Sequence, residues 1–202
     1  MSIAKKDRPA LLLVDIQKGF DDVKHWGGRR NNPEAEENAS TLLELWRETS
    51  LPVFHIQHCS TNPVSPLHET NPGNQFKELV RPAAGEIIIK KNVNSAFVGT
   101  ELKELLDQLK ITKLVIVGLT TDHCISTTTR MAGNLGFDTF LVSDATATFG
   151  KKGVNGQSYS AALIHDTALA SLHEEFATVV TTDFIIQSIQ GNVTVNHFLL
   201  IP

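Results

Sequence analysis

The chain has 202 residues, of which 41% are hydrophobic and 20% charged, with a formal net charge of −4. Such a composition supports a buried core of ordinary to large size and excludes an intrinsically disordered chain. The acidic balance excludes a global basic field for nucleic acid or anionic membrane, because the basic residues fall in scattered pairs such as Lys5-Lys6, Arg29-Arg30 and Lys90-Lys91.

The opening MSIAKKDRPA leads directly into LLLV (11–14), an apolar run too short for a signal-peptide core. No stretch approaches the ~20 apolar residues of a membrane-spanning helix. Strand-length runs continue at 52–56 (PVFHI), 86–89 (EIII), 113–117 (KLVIV), 138–142 (DTFLV) and 178–180 (TVV). Most are unbroken Val, Ile and Leu rather than alternating, which suits strands covered on both faces. Helical spacing predicts helices over 33–49, 100–109, 124–136 and 158–175. In the last, Leu163, Ala170 and His173 form the expected buried stripe, widened by Ala162, Leu169 and Leu172.

Strand alternating with helix along the whole length predicts a three-layer α-β-α architecture of the α/β class. Its centre is a parallel, doubly wound, six-stranded sheet of Rossmann-like organisation, in one domain over 1–202. Residues 57–83 are polar with four prolines and read as a long loop carrying a short helical turn. Residues 21–32, with Gly27-Gly28 and Asn31-Asn32, read as a mobile loop, and 149–157 as a further irregular segment. The tail 188–202 ends in an apolar stretch and is expected to form a final strand or a subunit contact.

In open α/β sheets, sites gather at the carboxyl ends of the strands. Asp15 ends the first run, Lys91 follows the third, and Cys124 lies just past KLVIVG. The three types complement one another. A thiol of ordinary pKa ~8.5 must be activated at neutral pH. At the first turn of a helix, and beside Lys91, a thiolate would be favoured by the macrodipole and by Coulomb attraction. Asp15 could accept the thiol proton and return it to a leaving group. His123 is adjacent to Cys124, but neighbours at a helix start point in different directions, so it is expected to line the site or an interface.

Cys124 and Arg130 also fit the H-C-x5-R spacing of a cysteine phosphatase. That alternative leans on glycine for its loop, and ISTTT offers none. A helix starting at Cys124 would also carry Arg130 nearly two turns away. No G-x-G-x-x-G, Walker loop or C-x-x-C is present, which excludes the common nucleotide-binding and redox modules. With two cysteines there is no disulfide framework, so a reducing cytoplasm is expected. Cys59 reads as a small residue opening the long loop.

The chain resembles the isochorismatase-like cysteine hydrolases, which include nicotinamidase, N-carbamoylsarcosine amidase and ureidoacrylate amidohydrolase. Four blocks carry the resemblance in order: ALLLVDIQKGF (10–20), KNVNSAFVGTELKELL (91–106), LVIVGLTTDHCISTTTRMAGNLGFDTFLVSDATAT (114–148) and HDTALASLHEEFATVVTT (165–182). The resemblance implies an isochorismatase-like hydrolase fold, with Cys124 as nucleophile, Asp15 as general base and acid, and Lys91 as its charge partner. It further implies a cis peptide between Leu119 and Thr120 and an oxyanion hole from the N–H groups of Thr120 and Cys124. The implied reaction is C–N cleavage of a small amide or ureide through a thioester, with no organic cofactor.

Hydrolysis of another small-molecule bond, as in isochorismatases, is the second family reading. Members of the family commonly form dimers or tetramers, so a homodimer or homotetramer is expected, with no nucleic acid and no membrane partner. Phe20, which matches the family pattern, and Trp26 are the aromatics expected to meet a planar substrate. Gln17 is a candidate substrate contact or a bridge to backbone groups. Nicotinamidases of the family carry an Asp-x-His metal motif after the second strand. Here His58 falls near the Asp position and Ser60 near the His position, so no metal is expected, although His55, His58 and His68 remain.

Overall fold

A computed structural model describes residues 2–191. Six strands form one parallel sheet: β1 (Ala10–Val14), β2 (Val53–His58), β3 (Ile87–Lys91), β4 (Lys113–Leu119), β5 (Asp138–Ala147) and, after a two-stranded hairpin of β6 (Lys151–Lys152) and β7 (Ser158–Tyr159), β8 (Thr178–Val180). Their spatial order is β3-β2-β1-β4-β5-β8. The order reverses between β1 and β4, which places the crevice of a doubly wound sheet at the ends of these two strands. All six strands expected from the apolar runs are present.

The strand period of two sends alternate residues to opposite faces. Leu12, Val14, Phe54, Ile56, Leu114 and Ile116 meet helices α2 (Leu102–Gln108), α3 (Ser126–Asn134) and α4 (Ala161–Leu172) in one core. Leu11, Leu13, Val115, Val117 and Phe140 meet α1 (Ala35–Thr49) and α5 (Thr182–Gln190) in the other. Helices on both faces follow from strands that carry apolar side chains on both. Trp46 of α1 is fully buried and donates from its indole to the Pro9 carbonyl at 3.0 Å. Among the described residues, no helix is long and apolar enough to cross a membrane.

Three expectations need correction. The buried face of α4 is Ala161, His165, Leu169 and Leu172, whereas Leu163, Ala162, Ala170 and His173 face outward. Leu169 and Leu172 are buried as expected, and His165 turns inward beside them to bond the Thr121 hydroxyl at 2.8 Å. The tail expected from 188 opens inside a helix that was not expected, α5: Thr181 caps it by accepting from the Phe184 N–H, and Gly191 ends it at φ +77°. The segment 21–32 is tied down. Trp26 donates to the Gly19 carbonyl, Asn31 accepts from the Thr148 N–H, and the Asn32 amide holds the Ser143 and Thr146 carbonyls. The long loop 57–83 carries two short turns, Pro72–Asn74 and Glu78–Val80. The apolar end of the tail lies outside the described residues.

Two local constraints hold this frame. Gly118, at φ +125°, sits where an added Cβ would come within 2.0 Å of the Val14 carbonyl oxygen, so only glycine lets β4 run this close to the end of β1. Glu86, before β3, takes two bonds from Arg47 of α1 and one each from the Ala83 N–H and the His55 ring. The Arg47 bonds, with those of Ala83 and His55, outweigh burial and hold its carboxyl down at about 2.

Gly118→Ala is expected to lose more than about 3 kcal/mol or fail to fold. Gly85→Ala, which also has positive φ but open space, is expected to cost about 1 kcal/mol. Urea unfolding of the two variants decides this, and equal losses would refute the close-approach argument. The depressed Glu86 value contributes stability that is fully present above the ordinary carboxyl value of 4.5 and is lost as pH falls from there through about 2. Over that window the urea midpoint of the parent should fall more steeply than that of Glu86→Gln. Parallel curves would show that Glu86 carries no such linkage.

Candidate active site

β1 ends at Asp15, whose φ of +54° turns the chain out of the sheet. Asp tolerates this left-handed region better than most residues. Its N–H stays bonded to the Ile56 carbonyl at 3.0 Å, so the turn is anchored to β2. β3 ends at Lys91, and β4 ends at Leu119, followed by a cis Leu119–Thr120 peptide and a wide turn, Thr121–Ile125, that carries Cys124. This turn is a wide π-helical one that runs directly into α3 at Ser126, so Cys124 lies in the opening turn of the helical segment.

These strand ends bring Asp15, Lys91 and Cys124 together. The Lys91 ammonium lies 2.6 Å from Asp15 Oδ2 and 3.3 Å from Cys124 Sγ, with no solvent exposure of either charged side chain. It also meets His58 Nδ1 at 3.0 Å and the Val93 carbonyl at 3.2 Å. An ammonium has three N–H donors, and here four acceptors surround it. Burial works against the Lys91 charge, but Asp15 and Cys124 more than offset it, and the pKa is raised. Asp15 Oδ1 is sealed from solvent without a hydrogen-bond donor of its own.

The thiol differs from the sequence expectation. Burial, followed by the Asp15 carboxylate, pushes Cys124 far above the ordinary thiol range, and Lys91 opposes both without prevailing. The resting group is a thiol beside a carboxylate that can take its proton, and attack on an electrophile requires that transfer. Cys124 also contacts Asn94 Oδ1 at 3.8 Å, a neighbour not singled out from the sequence.

The remaining candidates fall into place around this cluster. Gln17 is fully buried and its amide is committed to backbone: it donates to the His58 and Asn74 carbonyls at 3.0 and 2.8 Å and accepts from the His58 N–H at 2.9 Å. Phe20 is covered by Trp26, at a ring separation of 4.6 Å, and by Phe149. This aromatic group packs with Leu119 and so backs the turn at Thr120, while Trp26 keeps an open side. His123 is half exposed and meets Lys151, which also pairs with Asp122 at 2.5 Å. Arg130 lies over the Phe176 ring, 4.7 Å from its centroid, and bonds Ser126.

Of the three histidines, His55 is buried against Glu86 and His68 bonds Thr70. Only His58 joins the cluster: a ring nitrogen, an Asp15 oxygen and Cys124 Sγ all lie within 4.8 Å of one another. Such a set could hold a cation, and the cation it shares is the Lys91 ammonium. With Lys91 in that position, the donor set does not fit a metal ion. The sequence signal for His58 was its strand register. It pairs with Lys91 across β2 and β3, which puts the two side chains on one face.

A family model described as an isochorismatase domain matches residues 9–184. The chain belongs to the isochorismatase family. An uncharacterized isochorismatase-family protein of Bacillus subtilis (strain 168), YrdC, is 56% identical over 181 residues, covering 90% of this chain and 96% of its own. Nicotinamidase 3 of Arabidopsis thaliana is 28% identical over 196 residues, covering 91% and 89%. A crystal structure of an isochorismatase-family protein from Chromobacterium violaceum is 41% identical and superimposes with a TM-score of 0.88, covering 93% and 95%. The six-stranded α/β fold is that of the family, and the family supports a hydrolase.

Because the Asp15 carboxylate adds to burial in favouring the protonated thiol, Asp15→Asn is expected to shift the pH midpoint for iodoacetamide alkylation of Cys124 downward by about one unit or more. An unchanged or raised midpoint, measured by mass spectrometry of the labelled peptide, would show that Asp15 does not control the thiol.

Proposed function

We propose that this chain hydrolyses the C–N bond of a small amide or ureide, with Cys124 as nucleophile, Asp15 as proton carrier and Lys91 as their charge partner. The observation that carries the reading is the single Lys91 ammonium bonded to both Asp15 Oδ2 and Cys124 Sγ at the switch point of the sheet. An amidase among the full-length relatives supports the choice of bond.

The cycle follows from the proton inventory. Substrate enters with its carbonyl carbon near Cys124 Sγ. As the S–C bond forms, the thiol proton passes to Asp15, and the carbonyl oxygen becomes an oxyanion held by the N–H groups of Thr120 and Cys124. Each such donor contributes roughly 3 kcal/mol in a dry site. Collapse breaks the C–N bond while Asp15 returns the proton to nitrogen, and ammonia or an amine leaves. Water then attacks the thioester, giving a proton to Asp15. The second collapse expels the sulfur, which recovers that proton, and the carboxylic acid departs. Lys91 stays charged throughout, stabilising Asp15 when it is a carboxylate and the sulfur when it bears charge.

The reaction takes a small molecule as its partner and needs no organic cofactor. The two free cysteines suit a reducing cytoplasm, and a homodimer or homotetramer is our proposed assembly. The phosphatase alternative needs an arginine around the sulfur, and Arg130 is instead stacked on Phe176.

A screen of small amides and ureides for ammonia release tests the reading. At least one compound should turn over, and both Cys124→Ala and Asp15→Asn should lower kcat by at least about 10³-fold. Undiminished turnover by Cys124→Ala would overturn the mechanism. Cleavage of vinyl ethers with no amide turnover would favour the second family reading.

A further inference from the structure

His58 has one nitrogen engaged and one free. Its Nδ1 lies 3.0 Å from the Lys91 ammonium, which can only donate, so Nδ1 is the acceptor. Burial, then Lys91, keeps the ring neutral against the pull of Asp15. A neutral ring that accepts at Nδ1 carries its proton on Nε2. Among the described residues Nε2–H has no partner, and it is not among the polar atoms sealed from solvent.

The His58 backbone is held from two sides. The His58 N–H donates to Gln17 Oε1 at 2.9 Å, and its carbonyl accepts from Gln17 Nε2 at 3.0 Å and from Asn74 Nδ2 at 2.9 Å. Asn74 in turn ties this point to the long loop through the Leu67 carbonyl. Two buried amides therefore fix the backbone, and Lys91 fixes the tautomer. A donor oriented in this way, beside the nucleophile cluster and left without a protein acceptor, is arranged for an acceptor that arrives with the substrate.

We propose that His58 is a substrate-binding residue whose Nε2–H donates to a lone-pair acceptor on the substrate, selecting amides that carry a carboxylate, a carbonyl oxygen or a ring nitrogen besides the scissile group. The proposal rests on the amide-hydrolase reading of the same site. It assigns the His58 ring two separable duties, an inner one toward Lys91 and an outer one toward substrate. His58→Asn separates them: the asparagine oxygen can replace Nδ1 as acceptor, while its NH2 falls short of the position of Nε2–H.

The test uses two matched pairs of probes, nicotinamide with benzamide and succinamate with butyramide, each pair differing by one acceptor. The parent should prefer the acceptor-bearing member in kcat/KM by about tenfold or more. In His58→Asn that preference should collapse to within about twofold, chiefly through a KM increase of about tenfold for the acceptor-bearing member. A preference for nicotinamide alone would assign the acceptor as a ring nitrogen, and for succinamate alone as a carboxylate. A preference that persists in His58→Asn, or an equal fall for both members, would overturn the proposal, the second outcome leaving His58 as a support for Lys91 only.

A separate readout does not depend on turnover. Ring 15N NMR of the parent protein should show His58 as the Nε2–H tautomer at neutral pH, with its signal shifted by nicotinate or succinate. A charged ring, an Nδ1–H tautomer or no shift with either acid would sink the assignment. If no amide in the wider screen is hydrolysed, the amidase reading fails by itself, and the NMR result still decides the role of His58.

Discussion

An ammonium buried without solvent is the constraint around which the strand ends are organised. Taking an isolated charge out of water costs several kcal/mol even after relaxation, and it persists only when acceptors surround it. Lys91 has four within 3.3 Å, drawn from β1, β2, the segment after β3 and the turn after β4. No single stretch of chain could supply that set. The parallel order β3-β2-β1-β4 brings these ends side by side, and the closeness of β1 and β4 depends on Gly118. The fold thus assembles the cation's surroundings, and the cation in turn draws three reactive side chains to a common point.

That arrangement sets the resting charges. Lys91 and Asp15 balance, so the further negative charge of a thiolate would be surplus in a dry pocket, and Cys124 keeps its proton. The consequence is chemical selectivity. A thiol that ionises only as it attacks is poorly reactive toward passing electrophiles, and in the cycle we propose its proton already lies beside the carboxylate that would deliver it to nitrogen. The same economy of charge explains why the donor set around Lys91 does not suit a metal: the position a cation would share is held by a side chain tied to its own strand.

Most of the fold was legible in the sequence because the signal was local. Unbroken Val, Ile and Leu runs mark central parallel strands whatever surrounds them, and all six appear. The failures came where tertiary contacts outweigh pattern. α4 has apolar residues on more than one side, and its buried face includes His165, bonded to Thr121, a residue type that hydropathy ranks as exposed. α5 carries ordinary signals, a Thr cap, an Asp in the first turn and a closing glycine, yet no element is expected over 183–187 and the tail is expected to open at 188, inside the helix. At the site, Asp15, Lys91 and Cys124 were legible because each follows a strand. The protonated thiol was not, because its charge state depends on burial and on the balance between two neighbours of opposite sign.

The register of β2 and β3 connects these levels. His58 and Lys91 are 33 positions apart, and no sequence motif links them, yet parallel pairing sets them side by side on one face. Gln17, two residues beyond Asp15, then locks the His58 backbone from the turn after β1, so one short segment serves both Asp15 and the ring beside it. The Gln17 amide bonds backbone groups, which is the bridging half of the two roles expected for it. The aromatic pair Phe20 and Trp26 divides in the same way: the inner ring supports Leu119 and the turn, and the outer ring keeps an open side. Around this site, buried polar and aromatic side chains such as Gln17 and Phe20 hold the turns that follow β1 and β4.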